Sequence, residues 1–176
     1  PYGTDYRFSS GDTVRLATYY FKVQPIKWKI LTQEDDKALL LCESIIDNRC
    51  FNASTSDRTF GGTTVYANNW EYSDIRSWLN KGFYNSAFDK LSQKLIQSTY
   101  LDNKTTGKIL YGEIRNKYAL CQNNTTDKIF FLTYQDYRNS GYGFTSATRA
   151  KKASDFAIAK KIEIDTSGSK YGQGYY

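Results

Sequence analysis

WEYSDIRSWLN, residues Trp70–Asn80, decides how this chain is read. A serine ahead of an acidic residue marks a helix start. The Ser73 hydroxyl can accept a hydrogen bond from a first-turn amide, and Asp74 puts a carboxylate at the positive end of the helix dipole. Ile75, Trp78 and Leu79 then recur at the i, i+3, i+4 spacing of a single buried face. The stretch predicts a short amphipathic helix with Trp78 and Leu79 in the core and Trp70 packed beside its start. Asp74 and Arg76 stand two positions apart, point away from each other on a helix, and so are not a preformed acid–base pair. Arg76 is instead placed to tie the helix to a distant segment, as an ion pair or a carbonyl clamp, with Asp155 and Asp127 as candidate partners. Asn80-Lys81-Gly82 predicts the stop, because glycine readily adopts the left-handed conformation past a helix end.

Downstream, Ser86 and Asp89 have the S-x-x-D spacing of a capping box, and Phe88, Leu91 and Leu95 supply the apolar stripe of a second helix. Upstream, VRLATYYF (Val14–Phe21) has a strand-like composition, and IKWKIL (Ile26–Leu31) alternates Ile26, Trp28 and Ile30 with lysines. The turn Gln33–Asp36 leads into KALLLC, an unbroken apolar run expected to be covered on both faces. These segments predict an antiparallel hairpin with Trp28 facing the core. Residues 47 to 69 read as a long polar loop. KIFFLT (Lys128–Thr133) reads as a buried strand, Thr133 and Ser154 as helix caps, and ASDFAIAKK as a short helix ending in cations. Ile162 and Ile164 would start a last strand ahead of the Gly- and Tyr-rich tail.

The 176 residues suit a single domain spanning 1–176. No apolar run approaches the roughly 18 residues of a membrane helix. The sequence opens Pro1-Tyr2-Gly3 without a basic-then-apolar leader, so any secretion signal lies outside it. Histidine is absent, which removes the commonest general base, the commonest zinc ligand and every Ser-His or Cys-His nucleophile. Cys42, Cys50 and Cys121 lack C-x-x-C spacing, and both a Cys42–Cys50 bridge and reduced thiols fit the pattern. The carboxylates Glu34, Asp35 and Asp36 read as a solvated turn rather than a calcium loop, and no metal or cofactor is expected. A net charge of +6 with 16 Tyr would suit an anionic partner, but the cations are scattered and no nucleic-acid motif is present.

The order PIKWKIL, ALLLCESIID, WEYSDIRSWLN, FYNSAF, DKIFFLT, SDFAIAKK resembles a large bacterial domain family of unknown function. Its members carry W-x-x-S-x-I/L-R-x-W-L-N and D-x-V-F-L-L-S motifs, and the resemblance spans roughly residues 11 to 160. It implies an α+β fold of C-type-lectin-like layout: two short helices with a small, much-looped antiparallel sheet. It also implies an extracellular or envelope-associated location. Family members continue into closing strands past a segment like GQGYY, so those strands are expected to be missing here. Trp28, Trp70, Ser73, Arg76, Trp78, Leu79, Asn80, Phe88 and Asp155 fall on the framework.

Framework motifs without catalytic ones favour a non-catalytic, extracellular or cell-surface binding module for a glycan or protein. The alternatives are an enzyme related in fold to formylglycine-generating oxidases, working through cysteine chemistry, and a basic nucleic-acid-binding module. Loops usually carry recognition, and glycine beside aromatic residues presents rings without crowding. Tyr142 and Phe144 in NSGYGF and Tyr171 in KYGQG are therefore the candidate ligand-binding residues.

Overall fold

The computed structural model describes residues 6–54, 56–103, 123–145, 148–160 and 173–174, excluding the side chains of 134, 173 and 174. The fold mixes short helices with small antiparallel sheets, an α+β arrangement. Backbone contacts divide the chain into two compact units, 1–48 with 138–176 and 49–137.

In the first unit, β1 (Trp28–Glu34) and β2 (Lys37–Cys42) form the expected hairpin, closed by Asp35 and Asp36, with Asp35 at φ 50°. The alternation read from IKWKIL breaks at a bulge. Ile30 faces Leu40 but Thr32 faces Leu39, so Leu31 is the extra residue. Leu31 turns inward at 8% exposure while Ile30 is left 57% exposed. Trp28 is half-buried rather than a core anchor. KALLLC is not covered on both faces: Leu41 is buried, whereas Leu40 remains 48% exposed.

Val14–Phe21 forms no strand. Its rings cluster instead. Tyr19 packs edge-on against Phe8 at 5.0 Å and Phe21 against Phe156 at 5.5 Å, while the Tyr19 hydroxyl accepts from the Arg15 amide and donates to the Arg15 carbonyl. A bridge between Ile45 and Ala153 leads into a short helix of this unit, α5 (Asp155–Ala159). Ser154 caps it as expected, accepting from the Ala157 amide, and Ala157 and Ile158 are buried with Leu31 and Leu41. A short ladder pairs β7 (Lys151–Lys152) with β8 (Gln173–Gly174). The strand expected at Ile162–Ile164 lies outside the described residues.

The second unit begins with a hairpin inside the stretch read as a loop. β3 (Arg58–Phe60) and β4 (Thr63–Val65) are joined by Gly61 and Gly62, both at positive φ, the two-residue turn that matches strand twist. Helix α1 (Asp74–Ser77) starts where expected, with Ser73 Oγ accepting from the Arg76 amide at 3.1 Å. It does not stop at Asn80-Lys81-Gly82. The backbone widens into a π-helical stretch, Trp78–Phe83, and continues as α2 (Tyr84–Ala87). Gly82 serves close approach rather than a left-handed cap, since a Cβ there would sit 3.0 Å from the Trp78 ring.

The second expected helix begins later, as α3 (Lys90–Leu95). It is capped by Asp89, which accepts from the Ser92 amide, rather than by Ser86. Leu91 and Leu95 are exposed, at 69% and 72%, so that stripe is not core. Phe88 is half-buried, and its carbonyl accepts from Gln93. β5 (Thr99–Leu101) pairs with β6 (Thr125–Asp127), and α4 (Tyr134–Arg138) starts at a reciprocal Thr133–Asp136 box. The core of this unit holds Val65, Trp70, Ile75, Leu79 and Phe83.

Candidate functional site

The opening motif converges on one carboxylate. Asp127, 3% exposed, accepts from Trp70 Nε1 at 2.9 Å, from Thr125 Oγ1 at 2.8 Å and from Arg76 Nε at 2.8 Å. Of the two candidate partners of Arg76, Asp127 makes the ion pair. Asp155 instead accepts from the Ser9 amide and hydroxyl. Arg76 Nη1 also donates to the Glu71 carbonyl, so one guanidinium braces the turn ahead of the helix and the end of β6.

Asn80 completes the clamp. Its Nδ2 donates to the Arg76 and Ile129 carbonyls, and its Oδ1 accepts from the Lys128 and Ile129 amides. This explains why KIFFLT is not a strand: backbone groups that a ladder would pair are taken by a side-chain amide. A buried carboxylate with three donors and an amide used at both ends are committed to structure.

Beside the clamp lies an open cleft of about 510 Å³, wholly within the second unit. Phe60 and Tyr72 edge it as a stacked pair, ring centroids 4.7 Å apart and planes 16° apart, and each is about 40% exposed. Arg58 is held beside them. Its Nη2 donates to Asn52 Oδ1 and to the Tyr72 carbonyl, and its Cζ lies 5.4 Å from the Phe60 ring centre. Lys81 and Lys128 also line the cleft, Lys128 resting over the Tyr84 ring. The π-helical widening contributes Asn80 and Lys81 to the lining, and such irregularities recur at functional sites.

Of the other sequence candidates, Trp28, Trp70, Trp78, Leu79, Phe88, Tyr142, Phe144 and Asp155 are not among the described residues that line the cleft. Trp70 and Leu79 are buried as expected. Trp78 is only half-buried, packed on Phe83 with the Arg49 guanidinium 4.1 Å over its ring. Trp28, expected to face the core, belongs to the first unit and is half-buried there. Tyr142 and Phe144 also lie in the first unit. Both are half-buried with their rings edge to face at 6.4 Å, on a turn whose Gly143 takes φ 66°. Tyr171 and Cys121 lie outside the described residues.

Cys42 and Cys50 are both thiols. Burial pushes the Cys42 thiol above its ordinary pKa, and its Sγ donates to the Ser44 carbonyl at 3.0 Å, while Cys50 is exposed. Among the described residues no group of acidic or cysteine side chains is disposed to hold a metal ion, and no helix is long and apolar enough to cross a membrane. Arg58, Phe60 and Tyr72 were not singled out from the sequence. The signal that could have found them is Gly61-Gly62, a hairpin turn that lifts the flanking Arg58 and Phe60.

No curated protein and no solved structure matches the chain. A family model does, that of DUF6273, described as a domain of unknown function, and it covers residues 35–175. The matched span runs from the β1–β2 turn through the clamp and past α5, so the chain belongs to the DUF6273 family.

Proposed function

We propose that this chain is a non-catalytic binding module of C-type-lectin-like layout, extracellular or envelope-associated, that takes a glycan or protein ligand in the cleft of the second unit. The observation that carries the reading is the contrast within that unit. The polar groups of the motif are spent on Asp127 and Asn80, whereas the neighbouring Phe60, on the β3–β4 hairpin, and Tyr72, on the turn ahead of α1, each keep about 40% of their surface exposed. Committed polar groups make poor acids and nucleophiles, and exposed rings beside a cleft make good contact surface. Short helices, small hairpins and long connections support the lectin-like layout.

The experiment is a binding screen on immobilised glycans and surface proteins, followed by product analysis of whatever binds. Phe60→Ala and Tyr72→Ala are expected to abolish capture with the melting temperature unchanged and the ligand recovered intact. Turnover of the captured ligand contradicts the reading.

A further inference from the structure

We propose that residues 20–24 take an extended segment of another protein as an added β-strand, its backbone paired with theirs and a carboxylate of its own set against Lys22. The inference concerns the first unit, goes beyond the cleft reading and does not rest on it.

The backbone is the first ground, because β1 continues an extended run that its partner does not cover. Residues 18–27 run without a bend or turn into β1. Pairing with β2 begins only at Trp28, opposite Cys42, and the Glu43 amide donates to the Lys27 carbonyl at 3.0 Å. The chain after β2 then bends away at Glu43 and Ser44. Among the described residues, the backbone groups of residues 20–24 enter no hydrogen bond. Free amides and carbonyls on an extended run of strand-forming residues are a template for a further strand.

Side-chain direction is the second ground. Tyr19 packs on Phe8 and Phe21 on Phe156, while Tyr20 between them is 93% exposed and Lys22 is exposed beyond them. That alternation has the period of a strand. With one face anchored, the run is already extended, and less chain freedom remains to be lost on pairing. Val23, past the anchored rings, is 96% exposed, so pairing would cover apolar surface as well.

The kind of partner follows from what the segment offers. A lipid surface could cover Tyr20 and Val23, but unpaired amides and carbonyls are costly in hydrocarbon, whereas a polypeptide strand satisfies them. Lys22 makes no ion pair or hydrogen bond among the described residues, and no carboxylate occurs from Thr13 to Gln33. Full antiparallel overlap of two copies over residues 20–24 would set Lys22 against Lys22, a destabilising pair, whereas a carboxylate opposite it stabilises the ladder. Glu43 adjoins Lys27 rather than Lys22, which leaves Lys22 to the partner.

The test titrates the isotopically labelled chain, followed by NMR, with a short peptide alternating valine with glutamate and threonine. The same peptide with glutamine for glutamate, the acidic peptide N-methylated at alternate amides, and vesicles of phosphatidylglycerol and phosphatidylcholine form the other arms. The acidic peptide is expected to shift the amide signals of residues 20–24 and to slow their hydrogen exchange. The glutamine peptide should bind about threefold more weakly, and the N-methylated one should not bind. Lys22→Gln should erase the difference between the acidic and glutamine peptides. Val23→Pro combined with Gln24→Pro removes a donor from each edge of an exposed run, and should abolish binding with the melting temperature unchanged.

Binding of the N-methylated peptide as tightly as its parent overturns the inference, and so does equal binding of the acidic and glutamine peptides. Signals of residues 20–24 that no peptide moves overturn it too. Movement with vesicles alone overturns it in favour of a lipid surface, and movement on concentrating the free chain overturns it in favour of a second copy.

Discussion

Asp127 is the residue on which the second unit turns, because a buried carboxylate is tolerated only while its donors stay in place. Asp127→Asn keeps an acceptor but removes the charge opposite Arg76, and should lower unfolding free energy by about 2 kcal/mol. Asp127→Ala strands the Trp70 indole N–H and the guanidinium together and should cost about 3 kcal/mol, the lower end for a broken buried pair, because the Arg76 side chain is 27% exposed. Urea unfolding of both variants measures the difference. The two cysteines give a second check at this scale. With the Cys42 thiol raised by burial and Cys50 exposed, iodoacetamide below pH 9 should label Cys50 well before Cys42. Equal rates would show Cys42 to be more open than its surroundings allow. The sequence made Arg76 legible as a tie to a distant segment. It could not choose between Asp127 and Asp155, since both stand in plausible local contexts and only folding brings one of them to 2.8 Å.

Helix starts were the most legible elements, because caps are local chemistry. Ser73, Thr133 and Ser154 all perform the role their neighbours imply. Ser73→Ala should cost about 1 kcal/mol. The Asp89 cap carries a pH signature. Hydrogen bonds from Ser92 lower its carboxyl below the ordinary 3.8, so the cap is fully present above that value and is lost as pH falls through the lower folded one. Amide signals of α3 should therefore hold at pH 4 and titrate below it, and Asp89→Ala should remove the transition. Strands were less legible, because a strand needs a partner. Val14–Phe21 and KIFFLT have the composition, but one is held by ring contacts and the other by Asn80, and neither is in a ladder. The stop at Gly82 failed for a similar reason: the glycine answers to the Trp78 ring rather than to a left-handed turn.

For the whole molecule, class and family were readable from the order of motifs, but the cleft was not. Its lining comes from the β3–β4 hairpin, which Arg58 and Phe60 join to Tyr72, and from the start of the helix and the end of β6, which are far apart in the sequence and are joined by the Asp127 and Asn80 clamp. The central claim is that this clamp is architectural, holding segments about fifty residues apart as one body that carries the cleft. Amide hydrogen exchange on Asp127→Asn tests it most directly. Protection is expected to fall together in Ser73–Ala87 and in Thr125–Ile129, with the amides of the first unit's β1–β2 hairpin unchanged. Loss of protection confined to Thr125–Ile129, with the helix as protected as before, would contradict it.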